Sequence, residues 1–336
     1  MKSIKIGIAG LGGQGRKHFL NCLRHKNCEV IAVADSYERN LSRVSELGIK
    51  TYTDYREMIP KEKPDAVIIA LPNFLHADCS VIASENGCNI LLEKPFARNM
   101  EEATLITNHV QKTGVKLMLA MCQRFLNGCQ EIKKEIDNET LGRIDFASAL
   151  FFTGPFTSGK GVPEWIFDPI KMGGGALLDS GFHIIDLLLW FFGEVDSVQG
   201  HTESIFDLGY DDYADVLLRF RNGVNALAVV SWRSRNPCYR VEVAGEHSRK
   251  VALSDKFGIF DVGLRKAMFS FVRESISQKV LRGRPFLPLG DDIFYKELDY
   301  FTKCIIDDED PEPNAKDGLK VQSVIESIYK KTNSKN

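Results

Sequence analysis

Apolar residues recur through Met121 as short continuous runs. Ile4–Ala9 is apolar apart from Lys5 and Gly7, and Val30–Ala34, Ala66–Leu71, Asn89–Leu92 and Lys116–Met121 read the same way. Near-continuous apolar runs mark strands buried on both faces. Between them, Gln14–His25, Tyr37–Leu47, Leu75–Glu85 and Met100–Lys112 carry helical spacing, with Gly48 and Gly87 as stops. Strands alternating with helices predict right-handed crossovers and a doubly wound parallel sheet.

The rhythm changes after Gln123. One helical stretch covers Gly128–Asn138, and then strand-like segments cluster: Ile144–Phe152, Val195–Glu203, Ala214–Phe220, Asn225–Trp232 and Tyr239–Ala244. Arg221-Asn222-Gly223-Val224 is a strong hairpin signal, because Asn-Gly tolerates positive φ. A long apolar helix over Gly175–Phe192 interrupts this series. Further helices are expected over 263–282, Asp291–Ile306 and Gly318–Lys331, ahead of a frayed tail. The expected architecture is α/β followed by α+β. Residues 1–122 form the first domain. Residues 123–336 form an open, predominantly antiparallel sheet with helices on one face, and the last helix packs back on the first domain.

Composition narrows the class. A chain of 336 residues suggests about two domains. It is 44% hydrophobic and 26% charged, an ordinary globular profile. Net charge is −2, so neither nucleic acid nor an anionic membrane is an expected partner. Arg282-Gly283-Arg284 reads as a solvated loop. MKSIKIGIAG lacks the long apolar region of a secretory signal. The densest apolar stretch, Leu187–Phe192, is too short for a span and is flanked by Asp186 and Glu194. A cytoplasmic protein is expected. The eight cysteines are irregularly spaced without C-x-x-C, which fits small buried hydrophobes; Cys122 alone lies near a candidate site, and no metal site is expected.

Candidate chemistry falls at two places. Gly10-Leu-Gly12-Gly13-Gln14-Gly15 follows a strand, opens a helix, and is answered by Asp35 at the end of the next strand. That context makes it a dinucleotide fingerprint: glycines allow a tight turn and close approach to a pyrophosphate, the helix N-terminus attracts that anion, and Asp35 accepts from ribose hydroxyls. Asp35 repels a 2′-phosphate and favours NAD, while Ser36 and Arg39 keep NADP open. The competing readings are a glycine turn with a capping aspartate, or an FAD domain, which needs signatures the chain lacks.

Leu91-Leu-Glu93-Lys94-Pro95 places Lys94 at the carboxyl end of a buried strand, where open α/β sheets bind ligands. There it can hydrogen-bond a substrate oxygen, and a cationic nicotinamide lowers a neighbouring lysine's proton affinity. The plain alternative is an exposed strand-end lysine. On the apolar helix after Gly173-Gly174-Gly175, Asp179, His183 and Asp186 stand at i, i+4 and i+7 on one face. Buried ionisable groups are costly unless paired or used. His183 suits acid–base work with a carboxylate to orient it. For Asp186, a simple buried His–Asp hydrogen bond is an equally good account.

These pieces together resemble the Gfo/Idh/MocA family of glucose–fructose oxidoreductase and inositol dehydrogenase relatives over nearly the whole chain. The matching motifs occur in the family's order. They are Gly10-x-Gly12-x-x-Gly15-x-x-His18, Asp35, Pro72-Asn73-x-x-His76, Glu93-Lys94-Pro95, Trp165-x-x-Asp168-Pro169 and Gly174-Gly175-Ala176-Leu177-x-Asp179-x-Gly181-x-His183-x-x-Asp186. The resemblance implies a Rossmann domain and an open antiparallel sheet domain. It implies an NAD(P)-dependent dehydrogenase or reductase acting on a CH–OH group of a sugar, amino sugar, sugar nucleotide or cyclitol. Lys94, His183 and Asp179 take the catalytic roles: Lys94 polarises the reacting oxygen, His183 is the general acid/base, and Asp179 holds substrate or assists His183. Gly10, Gly12, Gly13, Gln14, Gly15, Asp35, Leu71, Asn73, His76, Glu93 and Lys94 line the cofactor, with Asn73, His76 and Glu93 on the nicotinamide side. Arg124, Trp165, Asp179 and His183 line the substrate. A cis peptide before Pro95 is implied too. The chain departs from the pattern at Gln123-Arg124-Phe125-Leu126-Asn127, which lacks the family's proline, and residues 253–289 match no landmark.

A homodimer or homotetramer through the second domain's sheet is expected. Two rival functions stay open. An NAD-dependent glycosidase using transient oxidation and elimination would release sugar without net NADH. A non-catalytic nucleotide sensor would not need Lys94, Asp179 and His183 together.

Overall fold

The computed structural model describes residues 3–154, 163–234, 237–255, 258–261 and 293–333. The helix expected over 263–282, the Arg282-Gly283-Arg284 loop, and the first two residues of the helix expected from Asp291 lie outside the described residues. Contacts divide the chain into two compact units. One draws on Met1–Cys122, Ile170–Gly173 and Ile293–Ser323, the other on Gln123–Pro169, Gly174–Asp292 and Val324–Asn336.

In the first unit the chain runs β1 (Ile4–Ala9), α1 (Gly13–Arg24), β2 (Cys28–Ala34), α2 (Glu38–Ser45), β3 (Lys50–Tyr52), α3 (Tyr55–Glu62), β4 (Ala66–Ile69), α4 (His76–Glu85), β5 (Asn89–Glu93), α5 (Met100–Thr113) and β6 (Leu117–Ala120). The six strands pair in the order β3-β2-β1-β4-β5-β6, every pair parallel. Ile6, Ile8, Ile68, Ile69, Leu91 and Leu92 are fully buried in this sheet, which accounts for the unbroken apolar runs. In this unit two elements escaped the sequence reading. β3 is three residues long and only half-buried, so it carries no clear period. α3 contains Pro60, which removes one intrahelical bond; the helix stands on the Asp54 cap, whose carboxylate accepts from the Arg56 N–H at 2.9 Å.

In the second unit α6 (Asn127–Asp137), β7 (Ile144–Phe152), the short α7 (Pro169–Met172, which passes into the first unit at Ile170) and α8 (Ala176–Phe192) precede β8 (Val195–Glu203), β9 (Tyr213–Phe220), β10 (Asn225–Ser231), β11 (Cys238–Gly245), β12 (Arg249–Asp255) and β13 (Gly258–Asp261). The seven strands pair in the order β13-β12-β11-β7-β10-β9-β8, antiparallel throughout except between β7 and β10. The Asn222-Gly223 turn closes the β9–β10 hairpin: Gly223 has φ +90° and Asn222 Oδ1 accepts from the Val224 N–H at 3.1 Å. α8 packs on β7, β9 and β10. By length and composition, Pro169–Phe192 is apolar enough to cross a bilayer, more than the sequence reading allowed, but 83% of its most apolar window is buried inside the protein. The chain ends with α9 (Ile293–Ile306), which packs on α1, and α10 (Ala315–Asn333).

Candidate active site

The glycine loop sits at the carboxyl edge of the parallel sheet. Gly10 has φ +91°, and a Cβ there would lie 2.3 Å from the Ala70 carbonyl oxygen. A Cβ at Gly15 would lie 2.0 Å from the Gly10 oxygen. Both positions therefore require glycine, on steric grounds. At Gly12 and Gly13 a Cβ would meet nothing within 4 Å. Gly12, Gly13 and Gln14 are exposed. The first turn of α1 has N–H groups without intrahelical acceptors, and no side chain caps them. An open space in front of an uncapped helix N-terminus fits the pyrophosphate of a dinucleotide.

Asp35 organises this loop. One carboxylate oxygen accepts from the Leu11 N–H at 2.7 Å, and the other from the Tyr37 N–H at 2.8 Å and Asn40 Nδ2 at 3.1 Å. A carboxylate offers about four acceptor sites, so one stays available to a ribose hydroxyl.

Lys94 follows β5 on the same edge of the sheet. It is half-buried, and the Lys94–Pro95 peptide is cis. The groups around it are buried and engaged. His18 Nε2 lies 2.8 Å from Glu93 Oε1, both almost fully enclosed. Burial alone would raise the Glu93 carboxyl, but the hydrogen bond and charge of His18, with Lys94 and His76, bring it below its ordinary value. His76, fully buried, sets its ring nitrogens 2.8 Å from the Pro95 carbonyl oxygen and 2.9 Å from the Leu71 carbonyl oxygen. Burial lowers its pKa against the pull of these two carbonyls. A neutral ring donates to one of them. Asn73 Nδ2 donates to the Met172 carbonyl at 2.9 Å. The sequence reading placed Asn73, His76 and Glu93 against the nicotinamide. Their side chains hydrogen-bond His18, the Met172 carbonyl and the carbonyls of Leu71 and Pro95, and so tie together the strand-end segments around Lys94.

In the second unit, α8 begins at three glycines. A Cβ at Gly174 would lie 2.6 Å from the Tyr329 hydroxyl, and one at Gly175 1.7 Å from the Asp211 carbonyl oxygen. The Asp211 carboxylate accepts from the Gly175 N–H at 3.0 Å, the Leu177 N–H at 2.7 Å and the Tyr329 hydroxyl at 2.7 Å. Burial raises the Asp211 carboxyl in spite of these donors. This brace fixes the helix that carries Asp179, half-buried, and His183, at 6% exposure. Neither Asp211 nor Tyr329 was singled out from sequence, because no local motif marks them.

Asp186 and Arg124 form a two-pronged ion pair at 2.7 and 2.6 Å, with both side chains buried. Arg124, expected to line the substrate, thus makes an ion pair that the spacing around Asp186 on the helix does not reveal. The guanidinium is turned to Asp186, and its charge is balanced inside the unit. Trp165 is half-buried on a short 3-10 turn, Glu164–Phe167, anchored where the Tyr210 hydroxyl donates to the Ile166 carbonyl at 2.5 Å.

An all-parallel sheet with an open glycine loop, followed by a seven-stranded second unit, is a dinucleotide-binding architecture. Residues 4–121 match the model of an oxidoreductase family described as an NAD-binding Rossmann fold, and residues 129–249 match the Gfo/Idh/MocA C-terminal domain. The chain belongs to the Gfo/Idh/MocA oxidoreductase family. It is 26% identical over 96% of its length to D-xylose 1-dehydrogenase (NADP(+)) 2 of Haloferax volcanii, of which 96% is covered. It is 27% identical over 94% of its length to myo-inositol 2-dehydrogenase of Thermotoga maritima, covering 92% of that protein. The fold is shared with the WlbA dehydrogenase of Bordetella pertussis, solved with NADH and UDP-GlcNAcA. There the TM-score is 0.85 at 20% identity, with 100% of this chain and 97% of that one covered. The chain is therefore an NAD(P)-dependent oxidoreductase.

Proposed function

We propose that the protein transfers a hydride between nicotinamide and a secondary alcohol or ketone of a sugar, amino sugar, sugar nucleotide or cyclitol. The observation that carries this reading is Lys94 at the carboxyl edge of the sheet that bears the open glycine loop, its surroundings set by the buried His18–Glu93 pair and His76. The similarity to xylose and inositol dehydrogenases supports the substrate class.

When bound, the nicotinamide supplies the hydride donor or acceptor. Gly10, Gly12, Gly13, Gln14 and Gly15 take the pyrophosphate, Asp35 takes a ribose hydroxyl, and Leu71 borders the nucleotide through its backbone. Lys94 donates to the reacting oxygen and polarises it. His183 takes or returns the hydroxyl proton, and Asp179 holds a neighbouring hydroxyl or orients His183. Trp165 provides an apolar face for the substrate ring. Asp35 favours NAD, and the exposed Ser36 and Arg39 leave NADP as an alternative.

The protein acts in the cytoplasm in this reading, which all eight cysteines being free thiols supports. It assembles as a homodimer or homotetramer through the sheet face that presents Phe146, Leu150, Leu217, Leu227 and Val229, and sedimentation tests this. For the chemistry, a polyol and sugar panel is followed by absorbance of the reduced nicotinamide with NAD⁺ and NADP⁺. Lys94→Ala is expected to slow turnover by about 10²–10⁴. Unchanged turnover in that variant overturns the mechanism.

A further inference from the structure

The far end of α1, away from the glycine loop, carries a cluster that hydride transfer does not use. The His25 N–H donates to the Cys22 carbonyl and the Cys28 N–H to the His25 carbonyl, each at 3.1 Å. These two successive short turns fold Cys22, His25 and Cys28 together. Cys28, the first residue of β2, is half-buried, and its Sγ lies 3.3 Å from His25 Nδ1. On the other side of the ring, Nε2 lies 3.2 Å from Asp299 Oδ1 on α9. Tyr295, also on α9, packs its ring 5.3 Å from the imidazole and restricts its plane. Thiol, imidazole and carboxylate thus stand in the order of nucleophile, base and orienting group.

The charged and titratable groups facing Cys28 are Cys22 and His25 from the end of α1 and Asp299 from α9. Lys303 holds Asp299 at 2.6 Å, and Arg24 stacks on Tyr295 at 4.8 Å. The hydrogen bond with Cys22 draws the Cys28 thiol down to about 6; burial opposes it and His25 assists. The same contact with Cys28 raises His25. Cys22 is buried, and its thiol is pushed up, first by the hydrogen bond to Cys28 and then by burial.

We propose that Cys28 and Cys22 form a hydroperoxide-reactive thiol pair, with Cys28 as the attacking sulfur, His25 as its base oriented by Asp299, and Cys22 as the resolving thiol. Cys28 Sγ attacks the terminal oxygen of a hydroperoxide. An S–O bond forms, the O–O bond breaks, and the departing oxygen takes the proton held on His25. Sulfur gives up two electrons and the peroxide gains them. Cys22 Sγ then attacks the sulfenic sulfur, an S–S bond forms, and the hydroxyl leaves with the Cys22 proton as water. Two thiols and one hydroperoxide give one disulfide, one alcohol and one water. Half-exposure lets Cys28 meet the oxidant first, and burial reserves Cys22 for the second step.

The test uses the intact protein. At pH 6 an ordinary thiol, near 8.5, is almost wholly protonated, while Cys28 is half thiolate. After allowing for the weaker intrinsic nucleophilicity of a low-pKa thiolate, Cys28 is expected to alkylate with iodoacetamide about tenfold faster than an ordinary thiol. Its rate should inflect near pH 6, and His25→Gln should move that inflection up. Asp299→Asn should move it by less, giving a second, milder variant. After hydrogen peroxide and trypsin, mass spectrometry should find the peptide His18–Arg24 joined to Asn27–Arg39. Cys22→Ser should yield a dimedone-trapped sulfenic acid on Cys28 and no joined peptide. A Cys28 rate profile unchanged by both His25→Gln and Asp299→Asn overturns the role of the base. The absence of the joined peptide in the wild type overturns the pair.

Discussion

Two helices, α1 and α8, start at glycine runs, and neither has a side-chain cap of its own at the N-cap position. At α1 the space in front of the first turn is open, and the glycines that shape it are pressed by close neighbours, Gly10 and Ala70. At α8 the first turn is already occupied: Asp211, 36 and 34 residues from Gly175 and Leu177, brings its carboxylate to their N–H groups, and Tyr329 reaches the same place across 154 residues. One helix leaves its positive end open, and the other satisfies it with an anion of the chain. A glycine-rich helix start is thus open to a ligand only where the fold leaves it unfilled.

The largest effects are expected at the long-range polar contacts of the second unit. Asp186→Ala strands the Arg124 guanidinium in a buried site and should cost about 3–5 kcal/mol in denaturant unfolding. Replacing both partners, Arg124→Met with Asp186→Leu, should recover most of that loss. Asp211→Ala removes the anion from the start of α8 and should cost about 1.5–3 kcal/mol, while nucleotide affinity measured by calorimetry stays at the wild-type level. An equal loss of nucleotide affinity would show that the two helix starts are coupled. Gly15→Ala should act on both: the clash with the Gly10 carbonyl should cost about 1–3 kcal/mol in unfolding, and the displaced loop should bind nucleotide more weakly in the same calorimetry.

The smallest effect is a pH dependence. His76 and Glu93 both have folded pKa values below their ordinary ones. Their stability contribution is complete above the unfolded values, about 6.5 and 4.3, and is lost as pH falls through the folded values. His25 is raised and works in the opposite sense, adding stability below its unfolded value. The difference in melting temperature between wild type and His76→Gln should therefore shrink as pH drops from 7 to 5. A constant difference would remove His76 from the acid response.

The sequence by itself determined the parallel β-α-β unit, the glycine loop with Asp35, the β9–β10 hairpin and the placing of Lys94, because each is set by periodicity, by φ, or by side chains a few positions apart. Even Gly15-x-x-His18 was visible as a motif, though its partner Glu93 is 75 residues away. β3 and α3 were not legible, being short, half-buried or interrupted by Pro60. The tertiary structure alone decided that Asp211 and Tyr329 brace α8, that Arg124 closes on Asp186, and that Asn73, His76 and Glu93 support the segments around Lys94. In each case a buried polar group has to find a partner, and burial fixes that need without naming the partner. The chain path supplies it, from 62 residues away for Arg124 and 118 between Tyr329 and Asp211.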